Sequence, residues 1–333
     1  MKETVVSGIR PTGKLHLGNY FGAIASFIKM QDEYNCFFFI ADLHSLTTHP
    51  VPTDLHSNVK QVLAEYLALG LDPEKCTLFV QSDVPQTTEL YTYLNMNAYK
   101  GELERAASFK EKVRTQPDNI NAGLLTYPVL MAADILLHKA TKVPVGKDQQ
   151  QHLEMTRQFG NRFNRMYNID YFAEPVAFSY NLDLVKVPGL SGSGKMSKSY
   201  SENDAIFLAD SMEINQKKIM RAKTDSGPTV KNQKKAQEIQ NIFDLMKLVC
   251  PKNVIEQYEN DYNDCTIKYG ELKKSLANDM EIFLKPVREK INEYLQNEKL
   301  IADAARIGAE KANESASKTI AEVREIIGIR KFY

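Results

Sequence analysis

TVVSGIRPTGKLHLGNYFGAIASFIKM, residues 4–30, decides the fold. Thr4 to Ile9 reads as a buried strand, and Arg10-Pro11-Thr12-Gly13 reads as a turn. Phe21, Ile24, Phe27 and Ile28 then recur at helical spacing between Gly18 and Met30. Strand, turn and helix in that order open a parallel sheet wrapped by helices. Moving outward, Cys36 to Ala41 is a second, wholly apolar strand and Cys76 to Gln81 a third. Between them, Leu55 to Leu69 gathers Val59, Val62, Leu63, Tyr66 and Leu67 on one helical face and stops at Gly70. An apolar helix over Val129 to Leu137 leads to a short strand at Val143-Pro-Val-Gly146 and a helix from Gln149 to Phe163.

From about residue 201 the β signal fades and amphipathic helical patterns take over. Ile239, Ile242, Phe243, Met246 and Val249 form one stripe, and Ile320, Val323 and Ile327 another. The expectation is an α/β first half, residues 1–200, and an all-helical second half, residues 201–333. Between Lys217 and Lys235 seven cations stand against the single carboxylate of Asp225. Such a stripe is either a solvated face or a phosphate contact.

With 333 residues, 43% hydrophobic and 25% charged, the chain is neither disordered nor fibrous and is long enough for substantial cores. Lys plus Arg and Asp plus Glu number 42 each, which excludes a uniformly basic nucleic-acid coat and leaves room only for local basic patches. The N-terminus shows no apolar signal core, and the richest apolar stretch, Gly123 to Leu137, is broken by Pro128 and Asp134, so a cytoplasmic protein is expected. Cys36, Cys76, Cys250 and Cys265 make no C-x-x-C pair and the six histidines no H-E-x-x-H. Free thiols and no protein-held metal are expected.

Two motifs carry chemistry. Pro11-Thr-Gly-Lys-Leu-His16-Leu17-Gly18-Asn19 lies between the first strand and the first helix, where a helix N-terminus offers N–H groups to an anion. Gly18 would let a base or ribose approach the backbone, and His16 and Asn19 would donate hydrogen bonds. Taken alone, it is equally well an ordinary turn. Gly192-Ser-Gly194-Lys195-Met196-Ser197-Lys198-Ser199, with Lys195 placed 177 residues after Gly18, puts two lysines on a glycine- and serine-rich loop. Cations so placed can meet charge that develops on a leaving pyrophosphate.

The pair resembles the two signatures of the class I aminoacyl-tRNA synthetases, and the chain is similar to the tryptophanyl members over nearly its whole length. Ser7-Gly-Ile-Arg-Pro-Thr-Gly13, Gly18-Asn-Tyr20, Met30-Gln-Asp-Glu-Tyr-Asn-Cys36, Gly101-Glu-Leu-Glu-Arg105, Asn121-Ala-Gly-Leu-Leu-Thr-Tyr-Pro128, Met131-Ala-Ala-Asp-Ile-Leu-Leu137, Val143-Pro-Val-Gly146, Asp148-Gln149 and Arg162-Phe-Asn164 carry the likeness. It implies a Rossmann-type catalytic domain and a helical anticodon-binding domain, the C-terminal helix packing back on the former. It also implies a homodimer, ATP with Mg²⁺ as cosubstrate, L-tryptophan as amino acid and tRNA(Trp) as acceptor. Same-fold tyrosyl-tRNA synthetases and a noncatalytic tRNA-binding paralogue are the alternatives. Intact Gly18, Asn19, Asp148, Lys195 and Lys198 argue against the latter.

By position, the resemblance assigns ATP to Arg10, Pro11, Thr12, His16, Gly18 and Asn19, with Gly146, Lys147 and Asp148 beside them and Val187 over the adenine. Lys195, Met196, Ser197, Lys198 and Ser199 would hold the phosphates, and Lys110 and Lys112 a second basic pair. Tryptophan would meet Asp134, Met131 and Tyr127, whose spacing of three and four puts them on one helical face if Pro128 sits in the first turn. Gln149 and Val6 complete that set. His44 either borders the pocket or is a satisfied structural histidine. Asp134 stands out because Asp is rarely buried without a partner in an Ala-Ala-Asp-Ile-Leu-Leu setting. Arg10 where better-known members have Gln, Lys147 for Glu, His16 for Thr and Val6 for an aromatic depart from the pattern.

Overall fold

The computed structural model describes residues 2–146, 149–178, 186–192, 194–197 and 202–332. Five parallel strands, β1 (Thr4–Ile9), β2 (Asn35–Ile40), β3 (Thr77–Val80), β4 (Lys142–Pro144) and β5 (Val176–Phe178), form one sheet in the order β3-β2-β1-β4-β5. This is the doubly wound, Rossmann-type arrangement, with its switch point between β1 and β4. After Asn35 and Thr77, β2 and β3 are apolar and buried because both sheet faces are covered. β5 has no counterpart in the sequence reading: it is three residues long, follows Pro175 and leaves Val176 exposed, so neither length nor apolar run announces it.

The helices are α1 (Leu17–Asn19), continued by a π-helical turn (Tyr20–Ile24) into α2 (Ala25–Glu33), then α3 (Asp42–Ser45), α4 (Pro52–Leu69) and α5 (Gln86–Asn97). There follow α6 (Lys100–Arg105), α7 (Ala107–Thr115), α8 (Ala122–Leu137) and α9 (Gln150–Tyr167). The second half adds α10 (Met212–Met220), α11 (Gln237–Val249), α12 (Lys252–Asn263), α13 (Tyr269–Gln296) and α14 (Glu298–Ile327). One boundary differs from expectation in a way that matters. α8 begins seven residues before Val129, where Asn121 accepts the Leu124 N–H at 3.1 Å, so Pro128 lies inside the helix rather than in its first turn.

Alternation along the strands divides the core. Val5, Phe38 and Leu78 face one side with Tyr66 of α4, Phe243 of α11 and Leu276 of α13. Val6, Phe37, Phe39 and Phe79 face the other with α8, α9 and Ala312, Ala316, Ile320 and Val323 of α14. The helical half thus shares its core with the sheet. α14 lies so close to β3 that a Cβ on Gly308 would sit 1.6 Å from the Leu78 carbonyl oxygen. Arg324 fastens the helix to α5 through both oxygens of Glu89, at 2.6 and 2.7 Å. No helix among the described residues is long and apolar enough to cross a membrane.

Candidate active site

At the switch point, the C-terminal ends of β1 and β4 part over a cavity of about 300 Å³. Its walls include Val6, Gly8 and Arg10 from β1 and its continuation, Gly146 and Gln149 beyond β4, His44 of α3, and Tyr127, Met131 and Asp134 of α8. All six residues assigned to the amino acid therefore converge there. The helical period brings Tyr127, Met131 and Asp134 to one face despite the misplaced proline, because Pro128 points away into the core.

The aromatic wall missing at Val6 comes from the neighbouring strand. Phe39 stands in register with Gly8, and its ring occupies the space a Gly8 Cβ would need, with contacts of 2.5 Å. Sequence reading counted Phe39 as core, and only the register reveals that it lines the cavity.

Asp134 is 5% exposed and holds two partners: His44 Nε2 lies 2.8 Å from its Oδ2, and Gln81 Nε2 donates to its Oδ1 at 2.7 Å. Burial holds its carboxyl above the usual carboxylate range, the His44 and Gln81 hydrogen bonds opposing it only in part. His44 thus borders the pocket, its ring 4.5 Å from that of Tyr127, and is only half satisfied, since its buried Nδ1 has no hydrogen-bond partner among the described residues. Gln81 is the residue the sequence reading missed. The sequence makes it the last residue of the third strand, and a polar side chain at the C-terminal end of a parallel strand is where a doubly wound sheet places its site.

A Cβ on Gly18 would meet the His16 ring at 2.9 Å and Met196 Cβ at 3.6 Å. Its absent side chain makes room for the His16 ring. The nearness of Met196 brings the two motifs, far apart in sequence, side by side. The Leu17 N–H is spent on the Ile206 carbonyl at 3.0 Å, and Asn19 Oδ1 accepts the His16 backbone N–H at 3.0 Å. Buried Glu65 of α4 steadies the turn by accepting the Leu15 N–H at 2.8 Å. Pro11 is buried, and Thr12 is exposed. Val187 and Met196, 0% and 2% exposed, belong to the core, joined by a Met196 N–H to Val187 carbonyl bond of 2.8 Å. Lys195 is exposed on the paired segment opposite Pro188, with Ser197 half-buried beyond it. Lys147, Asp148, Lys198 and Ser199 lie outside the described residues.

Lys110 and Lys112 are exposed on α7, and two residues are about 200° of helix, so their stems leave on opposite sides. α7 is tied to the cavity through Ser108 Oγ, 2.6 Å from His152 Nε2, and His152 Nδ1, 2.8 Å from Gln149 Oε1. The basic stripe is largely neutralised. Lys218 is buried and donates to Asp210 Oδ2 at 2.9 Å, and Lys14 reaches the other oxygen of Asp210 at 2.9 Å. Lys231 and Lys235 pair with Asp264 and Glu259 at 2.9 and 2.5 Å, and Lys223 with Glu238 at 3.7 Å. These carboxylates come from elsewhere in the chain, so a count along the segment could not see them.

Residues 2–285 match the family described as tRNA synthetases class I (W and Y). A tryptophan–tRNA ligase of Porphyromonas gingivalis (strain ATCC BAA-308 / W83) is 59% identical over 328 residues, covering 98% of this chain and 100% of that protein. The chain belongs to the class I tRNA synthetases. A tryptophan–tRNA ligase of Clostridium tetani (strain Massachusetts / E88) is 41% identical to this synthetase over 98% of the chain and 96% of its own length. In three dimensions the synthetase is similar to the tryptophanyl-tRNA synthetase from Campylobacter jejuni complexed with ADP and tryptophan, with a TM-score of 0.87, 36% identity and 98% and 99% of the two chains covered. The tyrosyl-tRNA synthetase from Aeropyrum pernix, at TM-score 0.66 and 18% identity, shares the fold.

Proposed function

We propose that this synthetase is a tryptophan–tRNA ligase that takes MgATP and L-tryptophan, forms tryptophanyl-adenylate and passes the tryptophanyl group to tRNA(Trp). The observation that carries the reading is the apolar cavity at the switch point with one buried carboxylate, Asp134, in its wall. A flat bicyclic side chain fills such a space, and its ring N–H meets an acceptor. In the first step a tryptophan carboxylate oxygen bonds to the α-phosphorus of ATP, and the bond from that phosphorus to the bridging oxygen breaks, releasing pyrophosphate. In the second the terminal 2′-hydroxyl of the tRNA attacks the adenylate carbonyl, loses its proton and displaces AMP. No covalent enzyme intermediate is needed, so positioning and charge stabilisation supply the catalysis. Lys195 and Lys198 meet the charge on the departing pyrophosphate, Arg10, which lines the cavity, adds a fixed positive charge for the reacting carboxylate, and Asp148 receives ribose hydroxyls. Mg²⁺ arrives on the ATP phosphates, as this small cation usually does.

Residues 201–333 are proposed as the anticodon-binding part, with α14 returning to the sheet. The protein is proposed to act as a homodimer, a reading supported by the exposed Met96, Tyr99 and Met166 beside α5 and α9. Exchange of labelled pyrophosphate into ATP, run with each of the twenty amino acids, tests the activity. Tryptophan alone should support exchange at full rate, and exchange driven by tyrosine instead would refute the reading.

A further inference from the structure

We propose that Gln81 is a positioning residue for tryptophan selection, acting through Asp134; this rests on the reading that Asp134 receives the indole N–H. Gln81 follows β3 directly, opens a short 3-10 turn (Gln81–Asp83) and is 0% exposed. Its Nε2 donates to Asp134 Oδ1 at 2.7 Å while His44 Nε2 holds Oδ2 at 2.8 Å. The carboxylate is therefore gripped from two elements, α3 and the end of β3, neither of which belongs to its own helix. A carboxylate has about four acceptor positions. One donor on each oxygen fixes its plane and leaves the remaining lone pairs for a ligand in the cavity that Asp134 lines.

The other end of the same amide makes the case specific. Gln81 Oε1 is buried and has no hydrogen-bond partner among the described residues. An unsatisfied buried acceptor costs stability, and an apolar side chain of the same shape would remove that cost. A Gln placed only to fill space is thus the wrong residue here, and what offsets the cost is the bond from Nε2 to Asp134. Gln81 touches no reacting atom; it holds the acceptor that does the reading.

The test compares kcat/KM for tryptophan with that for a tryptophan isostere whose ring N–H is replaced by sulfur, in wild type, Gln81→Met, Asp134→Asn and the double variant. Gln81→Met keeps the shape but strips buried Asp134 Oδ1 of its donor, so it should fold with a modest loss of thermal stability. Its kcat/KM for tryptophan should fall about tenfold, mainly through KM, with the isostere little changed, so that the preference narrows. Adding Gln81→Met to Asp134→Asn should change the preference no further, because both act on one hydrogen bond. If Asp134→Asn narrows the preference and Gln81→Met keeps the wild-type ratio, Gln81 merely packs and the proposal is wrong. If Asp134→Asn leaves the ratio intact, the reading beneath the proposal fails first, and the proposal with it. Should Gln81→Met not fold, Gln81→Leu removes the donor without setting a second carboxyl beside Asp134. It should narrow the preference likewise, and an unchanged ratio would overturn the proposal.

Discussion

Lys195 is exposed and contributes nothing to the core, so Lys195→Ala should leave thermal stability unchanged. Adenylate formation should nonetheless slow by about a hundredfold, the usual consequence of losing a charged contact made chiefly in the transition state, with tryptophan affinity little altered. Stopped-flow measurement of the first turnover checks this, and an unchanged rate would remove Lys195 from the mechanism. At this scale the sequence is informative wherever a residue type is out of place. Asp134 was conspicuous among alanines and leucines, and it proves to be a buried, twice-bonded acceptor. Gly18 is equally conspicuous, and the His16 ring, a neighbour two residues away that composition cannot orient, fills the space its Cβ would need. Phe39 and Gln81 looked ordinary because nothing distinguishes a core phenylalanine or a strand-end glutamine until the register of β1 and β2 and the path of α8 are known.

Among the elements, α14 is the one whose docking was least visible in advance. Its amphipathic stripe showed that a face is buried, while Gly308 shows how closely. Gly308→Ala should drive the helix off β3 and cost more than about 4 kcal/mol in urea unfolding. Gly270→Ala in α13, where an added Cβ meets nothing within 4 Å, should change stability by no more than about 1 kcal/mol. A second handle is His138 at the end of α8, stacked on Phe37 and 3.1 Å from Ser315 of α14. Burial pushes its pKa down to about 3 from the ordinary 6.5. Between those values the unfolded chain holds a proton that the folded chain does not. His138 therefore leaves stability intact above pH 6.5 and erodes it by about 1.4 kcal/mol per unit as pH falls toward 3. His138→Gln should flatten that acid limb in a series of urea midpoints, and an unaltered limb would show that other groups set it. β1 to β4 and most helices were legible because apolar runs and periodicity are local properties. β5 and the true start of α8 were not, since one is stabilised only by its register with β4 and the other by a single Asn121 cap ahead of a proline.

For the molecule as a whole, order along the chain predicted the parallel sheet, but the distribution of charge had to await the fold. The cluster between Lys217 and Lys235 reads as a solvated face or a phosphate contact, whereas carboxylates from α11, α12 with its C-terminal cap and the loop before α10 occupy most of it. Lys217 and Arg221 remain exposed, and no ion pair among the described residues involves them. Reversing both to Glu should weaken tRNA charging, spare ATP–pyrophosphate exchange and make tRNA affinity fall less steeply with salt. Parallel salt dependences for variant and wild type would mark these two residues as solvated surface. The central claim is that the cavity between β1 and β4 selects tryptophan through Asp134. Because His44 and Gln81 already satisfy one position on each oxygen, a substrate lacking the ring N–H does not strand a bare charge, so its penalty in wild type should be moderate, about 10- to 100-fold. The most direct measurement is kcat/KM for tryptophan and for the sulfur isostere in Asp134→Ala. The account predicts that activity with tryptophan drops far more than activity with the isostere, bringing the two within a few-fold of each other. Equal losses for both substrates would contradict it and make Asp134 a structural residue of α8.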